Sequence, residues 1–260
     1  MKIAVCVKQV PDSWAEKKMN SGRLDREGVD AVLNDLDEYA VEEALRIAEA
    51  HGGNEEGGAH TVTLISMGPE RAAEAIRKAL SMGANNAILI SDVALAGADA
   101  LTTSEVLASV IKAEAFDLVI CGTESTDARM SVVPAMLAER LSWAQLTFAG
   151  SVKVNPDAKS VEITRVTESG VDTITAQFPA VISVIEKINE PRYPSFKGIM
   201  AAKKKSIETR SAAGLAANIS AWSDVVDATP RPARGAGIKV EDGGTGGDAL
   251  ITYLAEKKLV

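Results

Sequence analysis

The 260-residue sequence is poor in aromatic side chains: four Phe, three Trp and three Tyr make up 4% of the chain. Its core must therefore be built from Ala, Val, Ile and Leu, as in Val/Ile strands covered by Ala-rich helices, which argues against a β-sandwich. Cysteine is scarce as well. Cys6 and Cys121 each sit inside an apolar run with no C-x-x-C pair, so no thiolate metal or redox motif exists, and both read as reduced, buried, cytosolic thiols. The two histidines, His51 and His60, fall at a helix end and a strand start, where surface positions are expected and not catalytic bases. No apolar stretch reaches the ~18 residues of a spanning helix. The start, MKIAVCVKQVPD, enters a strand pattern directly, without the h-region of a signal peptide. A cytoplasmic chain without membrane insertion is the expectation.

Positive charge is also in deficit. Twenty-eight Lys and Arg against 36 Asp and Glu give a net charge of −8, which argues against affinity for nucleic acid or anionic lipid. The balance is uneven, because Glu186 to Arg210 carries seven basic and three acidic residues, leaving −12 on the remainder. Enzymatic signatures are missing too: there is no Walker A loop and no G-x-S-x-G elbow. The run Gly244-Thr245-Gly246-Gly247-Asp248-Ala249 follows the charged Lys239-Val240-Glu241-Asp242 and reads as a linker. Asp35, Asp37, Glu42 and Glu43 read as helix capping and solvated face. No catalytic pair and no metal site can be picked out.

What is present is alternation of strand and helix. Ile3 to Val7 is a short apolar run of the kind buried on both faces, hence a central strand, and the polar Glu16 to Asp30 reads as loop. Asp35 or Asp37 can cap a helix whose apolar face is Ala40, Val41, Ala44, Leu45 and Ala48, ending at Gly52-Gly53. Strands at His60 to Ser66, Ala87 to Ile90 and Leu118 to Cys121 alternate with helices around Ala73 to Leu80, Thr103 to Ala115 and Ser131 to Leu141. Such alternation predicts a parallel sheet with right-handed crossovers over about the first 145 residues. Ser151 to Val154, Val161 to Val166 and Thr173 to Phe178 then predict antiparallel hairpins, with turns at Asn155-Pro156-Asp157 and Ser169-Gly170, before a buried strand at Ala180 to Ile185. The organisation expected is an α/β domain over 1–188, a basic loop segment over 189–210, and an extended arm over 211–260. The arm holds a short element around Trp222 and a helix from Ala249 to Lys258. Its apolar islands, Trp222-Val225-Val226 and Leu250-Ile251-Leu254, need another surface unless the arm is a flexible tail.

Ligands in open parallel sheets bind beyond the carboxyl ends of the strands. Lys8 to Asp12, Met67-Gly68-Pro69, Ser91-Asp92 and Gly122 to Asp127 fall there. Gly122 permits close backbone approach, Ser125, Thr126 and Ser131 supply hydroxyls, and the following helix presents N–H groups to an anion. An ordinary polar-capped βα turn would use the same residues. A binder or carrier fits better than a hydrolase. Asn189 to Lys205, N-E-P-R-Y-P-S-F-K-G-I-M-A-A-K-K-K, is different: a proline-stiffened loop with Tyr193 and Phe196 between basic residues suits transient docking of acidic partners. The alternative is that Phe196 packs into its own core.

V-K-Q-V-P-D after the first strand, Asn34 with Ala40-Val41-Glu42-Glu43-Ala44, A-L-x-M-G-A at Ala79 to Ala84, P-A-V-I-S at Pro179 to Ser183, and the Asn189 to Lys205 segment together resemble the electron transfer flavoprotein β-subunit, from residue 3 to about 240. The resemblance implies an adenine nucleotide α-hydrolase-like parallel-sheet domain with antiparallel hairpin additions and a C-terminal arm that wraps a partner α-subunit. It implies a carrier without turnover of its own, FAD held mainly by the α-subunit at the interface, and a structural AMP in the β-subunit. Carried over by position, AMP binding falls to Cys6, Asn34, Asp35, Leu36, Asp37, Met67, Gly122, Thr123, Ser125, Thr126, Asp127, Met130, Ser131, Val132 and Val133. Partner recognition falls to Pro191, Arg192, Tyr193, Pro194, Ser195, Phe196, Lys197 and Met200. Electrons would come from flavin-dependent dehydrogenases such as acyl-CoA dehydrogenases and leave for a quinone-reducing acceptor. Two departures mark this chain: the loop after strand four reads G-T-E-S-T-D-A-R-M-S-V-V, and Val166 replaces a family glutamate near the flavin. Ser13 and Trp14 are the flavin neighbours expected from this chain. Two other readings are a nucleotide α-hydrolase or ligase, which wants a Ser/Gly-rich loop where Lys8-Gln9-Val10-Pro11-Asp12 stands, and an ATP-binding stress-type module, which wants a glycine-spaced loop after strand four.

Overall fold

The computed structural model describes residues 1–20, 22–55, 57–215, 219–229 and 231–260. The chain divides into two units, Met1–Val226 and Asp227–Val260. In the first unit, β1 (Lys2–Cys6) is followed by β2 (Gln9–Pro11), the small strands β3 (Met19–Asn20) and β4 (Arg23–Leu24), and β5 (Ala31–Leu33). The βα alternation then runs α1 (Asp35–Ala50), β6 (Thr61–Met67), α2 (Ala73–Met82), β7 (Asn86–Ile90), α3 (Ala100–Glu114), β8 (Leu118–Gly122) and α4 (Val133–Leu141). After it come β9 (Ala144–Asn155), β10 (Ser160–Thr167), β11 (Gly170–Gln177), β12 (Ala180–Val184), α5 (Phe196–Lys204) and β13 (Glu208–Arg210).

Nine strands form one sheet in the order β11-β10-β9-β12-β8-β1-β6-β7-β13. All pairings from β9 through β12, β8, β1, β6 and β7 to β13 are parallel, while β9-β10-β11 is an antiparallel meander. The continuous apolar runs seen in the sequence are explained by two-sided burial. Ile3 and Val5, Val62 and Leu64, and Leu118 and Ile120 face the layer of α1 and α2, whereas Ala4, Ile65 and Val119 face that of α3 and α4. Ala40, Ala44 and Ala48 are fully buried, so small side chains let α1 lie close on the sheet. Each fully buried Leu or Ile contributes about 1.5–3 kcal/mol relative to exposure, so the sheet layers dominate stability.

Three local expectations change. Residues 16–30 are not plain loop: β3 and β4 form a hairpin, and β5 pairs antiparallel with β2. β9 starts at Ala144, so the hairpin strand first docks in parallel beside β12 before turning away. Among the described residues around Trp222, 219–229, no helix or strand forms. The Trp222 backbone N–H and that of Ser223 instead donate to the Asp99 carboxylate, at 2.8 and 2.9 Å, which also caps α3.

Among the described residues of the second unit, α6 (Gly246–Glu256) is the one regular element, and its Leu250 and Ile251 are exposed. The Gly244–Ala249 run is therefore a helix start, with Asp242 accepting from Gly244 and Gly246 N–H, and not a simple linker. Among the described residues, no helix is long and apolar enough to cross a membrane, and no cluster of His, Cys, Asp and Glu could hold a metal.

Candidate functional site

The strand order reverses between β1 and β8, so the crevice beyond their carboxyl ends is the place for a ligand in this topology. Cys6 ends β1, and its register partner Cys121 lies on β8. A hydrogen bond with Cys6 and full burial push the Cys121 thiol well above its usual range, so it remains a protonated structural thiol.

α1 begins over this edge. Asn34 stands at its N-cap position but makes no cap bond; its fully buried amide instead staples two chain segments. Nδ2 donates to Asp37 Oδ1 and to the Glu124 carbonyl, both at 2.9 Å, and Oδ1 accepts from Thr126 N–H at 3.0 Å. Asp37 also accepts the Lys8 N–H at 2.8 Å. The expectation that Asp35 or Asp37 caps the helix is thus corrected, because the Asp37 carboxylate is turned into the edge and spent on Asn34 and Lys8. Burial pushes this carboxyl up to about 7, against the lowering effect of those two hydrogen bonds. Gly122 is required by the same approach: a Cβ there would stand 2.6 Å from Asp37 Oδ1 and 2.8 Å from the carbonyl carbon and oxygen of Leu36.

The loop after β8 is held by charge. Lys8 Nζ lies 3.1 Å from Ser125 Oγ and 2.8 Å from Asp127 Oδ1, and Arg26 donates to Asp127 Oδ2 at 2.5 Å. The Asp127 side chain is 2% exposed. Burial would raise its carboxyl, but the Lys8 charge, with hydrogen bonds from Lys8, Arg26 and Ser125, outweighs this and holds it down at about 2. Two cations against one carboxylate leave a single positive charge in this cluster. No local sequence signal marks Arg26, because its partner lies 101 residues away and it sits in a polar run. Its own segment is fixed by Arg71, whose Nη1 donates to the Arg26 carbonyl at 2.8 Å.

The remaining predicted residues share this edge. Thr123 Oγ1 donates to the Val184 carbonyl at 2.6 Å, and Ser131 Oγ to Glu124 at 3.1 Å, so both hydroxyls brace the loop. Positive φ at Arg129 and Ser131, 50° and 56°, turns the chain into α4, where Val132 and Val133 are half-buried and Met130 is exposed. Met67 ends β6, the strand beside β1. Asp35 and Leu36 open α1. Trp14 is 94% exposed and lines a groove with Ser13, Asp35, Glu38 and Lys78. The histidines lie elsewhere: His60 is buried, correcting its expected surface position, with Nδ1 2.7 Å from the terminal amine and Nε2 2.8 Å from the His51 carbonyl.

The basic segment forms a second feature. Phe196 and Tyr193 are 79% and 94% exposed, so the alternative in which Phe196 fills the core is overturned. Ser195 Oγ caps α5 by accepting from Gly198 N–H at 3.0 Å. A Cβ on Gly198 would meet the Ser81 carbonyl oxygen at 2.5 Å, so glycine lets α5 press onto α2. Lys197, Lys203 and Lys204 are exposed, but Lys205 points its ammonium at the Ala84 carbonyl, and burial lowers its pKa. The lysine triplet therefore presents two charges. Glu42 and Glu43, expected on a solvated face, are buried beneath the start of this loop, where they receive Arg192 and Asn189.

The description Electron transfer flavoprotein domain matches residues 21–215. The chain belongs to the electron transfer flavoprotein family. It is 46% identical to the electron transfer flavoprotein subunit beta of Mycobacterium leprae, with 99% of each chain covered. It is 37% identical to that of Megasphaera elsdenii over 84% of this chain and 81% of the relative, and 35% identical to that of Syntrophomonas wolfei over 93% and 90%. The side chains of this edge are engaged in bracing and charge compensation.

Proposed function

We propose that this chain is the β-subunit of a heterodimeric electron transfer flavoprotein, cytoplasmic and without turnover of its own, which holds AMP at the switch point and docks acyl-CoA dehydrogenase-type donors. The observation that carries the reading is the loop at 191–200, which places two aromatic rings in solvent on a stem tied to the protein's own core. Isolated exposed apolar groups are ordinary, but two rings beside Lys197, Lys203 and Lys204 fit a short-lived complex in which an anchor sets register and charge sets on-rate. The α-subunit holds most of the FAD, which supplies the redox chemistry; Trp14 and Ser13 on this chain border the flavin, and the onward acceptor is a quinone-reducing protein.

The donors at the switch point fit a nucleoside monophosphate. Lys8, Arg26 and the first turn of α4 attract an anion, while Asp127 cancels one of the two cations and leaves too little positive charge for a triphosphate. The residues assigned to hold it are Cys6 through its backbone, 34–37, Met67, and Gly122 to Val133. Co-expression with the α-subunit, followed by nucleotide analysis of the denatured complex, tests this reading. One AMP per complex is expected, and recovery of ATP, or of no adenine nucleotide, overturns the AMP assignment.

A further inference from the structure

Residues 189–195 form no regular secondary structure, yet they carry the exposed Tyr193 between Pro191 and Pro194 and lead directly into Phe196 at the start of α5. The side chain that holds this stretch is Arg192. Its guanidinium forks between two carboxylates about two turns apart on α1. Nε and Nη2 donate to Glu42 Oε2 and Oε1 at 2.7 and 3.1 Å, and Nη1 and Nη2 donate to Glu49 Oε1 and Oε2 at 2.5 and 3.0 Å. The Arg192 backbone N–H donates to Glu42 as well, at 3.1 Å. Three residues earlier in the stem, Asn189 Nδ2 reaches the Tyr39 carbonyl and Glu43, at 3.1 and 3.0 Å. Only a third of the Arg192 side chain is exposed, and the Glu42 side chain is 7% exposed.

We infer that Arg192 is a positioning residue for electron transfer: it clamps the docking loop to α1 and so presets Tyr193 and Phe196, and its charge does not itself meet the partner. The inference rests on the docking reading above and adds to it an internal device. Four of the five guanidinium N–H donors point at carboxylates of the same chain, so little of the charge is left for an acidic donor. A planar fork held on both sides fixes the stem, and a loop already in its bound conformation loses less freedom on association. The basic residues that steer the partner are then Lys197, Lys203 and Lys204.

The test uses the flavin-loaded complex with its α-subunit as the varied electron acceptor of a medium-chain acyl-CoA dehydrogenase reduced with octanoyl-CoA. Arg192→Lys keeps the charge but cannot bridge both carboxylates, and the clamp predicts KM raised by about five- to tenfold with kcat changed less than about twofold. Glu49→Gln, at a half-exposed position, leaves the Glu42 pair intact and makes the surface more positive. A direct contact between Arg192 and an acidic partner would lower KM in this variant, whereas the clamp predicts a rise of about two- to threefold. Hydrogen exchange at the Arg192 and Tyr193 amides of the free complex should quicken in both variants, with flavin content unchanged. If Phe196→Ala raises KM while Arg192→Lys and Glu49→Gln leave KM and exchange at wild-type values, or if Glu49→Gln lowers KM, the clamp is overturned. If Phe196→Ala also leaves KM unchanged, it is the docking reading that fails.

Discussion

Gly122→Ala is expected to destabilise the protein by about 2–3 kcal/mol, the upper part of the range for forcing an extra carbon into a filled site. The added Cβ would lie 2.6–2.8 Å from Asp37 Oδ1 and from the Leu36 carbonyl group. The Leu36 atoms are backbone in the first turn of α1, so no side-chain rotation relieves the overlap, and the helix must lift from the end of β8. Lifting it pulls Asn34 away from the Glu124 carbonyl and the Thr126 N–H, the bonds that hold the loop over the switch point. Stability and nucleotide content should therefore fall together. Urea unfolding of wild type and variant side by side measures the first effect, and an unchanged midpoint with unchanged slope would show that the contact is not as close as described.

Phe196→Ala should slow electron transfer from a reduced acyl-CoA dehydrogenase by about thirtyfold at sub-saturating concentrations, the consequence of losing an interface anchor of about 2 kcal/mol. The direction follows from what the ring does not do. It opens α5 with most of its surface in solvent, and the cap below it is made by Ser195, so truncation removes no core contact and no helix bond. Thermal stability and flavin content should be unchanged. A stopped-flow measurement of flavin reduction decides the matter: a rate equal to wild type would place the anchor elsewhere on the surface.

The parts of this structure that could be read along the chain were those fixed by local pattern. The apolar runs at Ile3 to Val7 and Leu118 to Cys121 mark central strands, and their carboxyl ends locate the edge on which Asn34, Gly122 and Asp127 meet. Features built from distant partners were not legible. Glu42 and Glu43 have the spacing of a solvated helix face, and only the return of residues 189–192, about 150 positions later, covers them. Arg26 sits in a polar run whose fold depends on Arg71 and Asp127. The absence of a side chain at Gly122 is legible in the sequence, but the neighbour it admits, the first turn of α1, is not. Nothing local distinguishes the three lysines 203–205, yet packing of α5 on α2 turns Lys205 inward to the Ala84 carbonyl.

Glu42 and Arg192 also show how one helix serves two places. The first turn of α1 braces the switch point, and its later turns carry the carboxylates that hold the exposed loop. Rigid elements place such sites more firmly than loops do, which accounts for two irregular segments both being tied to this helix.

The most direct test of the account is native mass spectrometry of the protein co-expressed with its α-subunit. The account predicts a one-to-one complex whose mass includes one FAD and one AMP, both released on denaturation. A chain that stays monomeric beside the α-subunit and carries neither cofactor would contradict it.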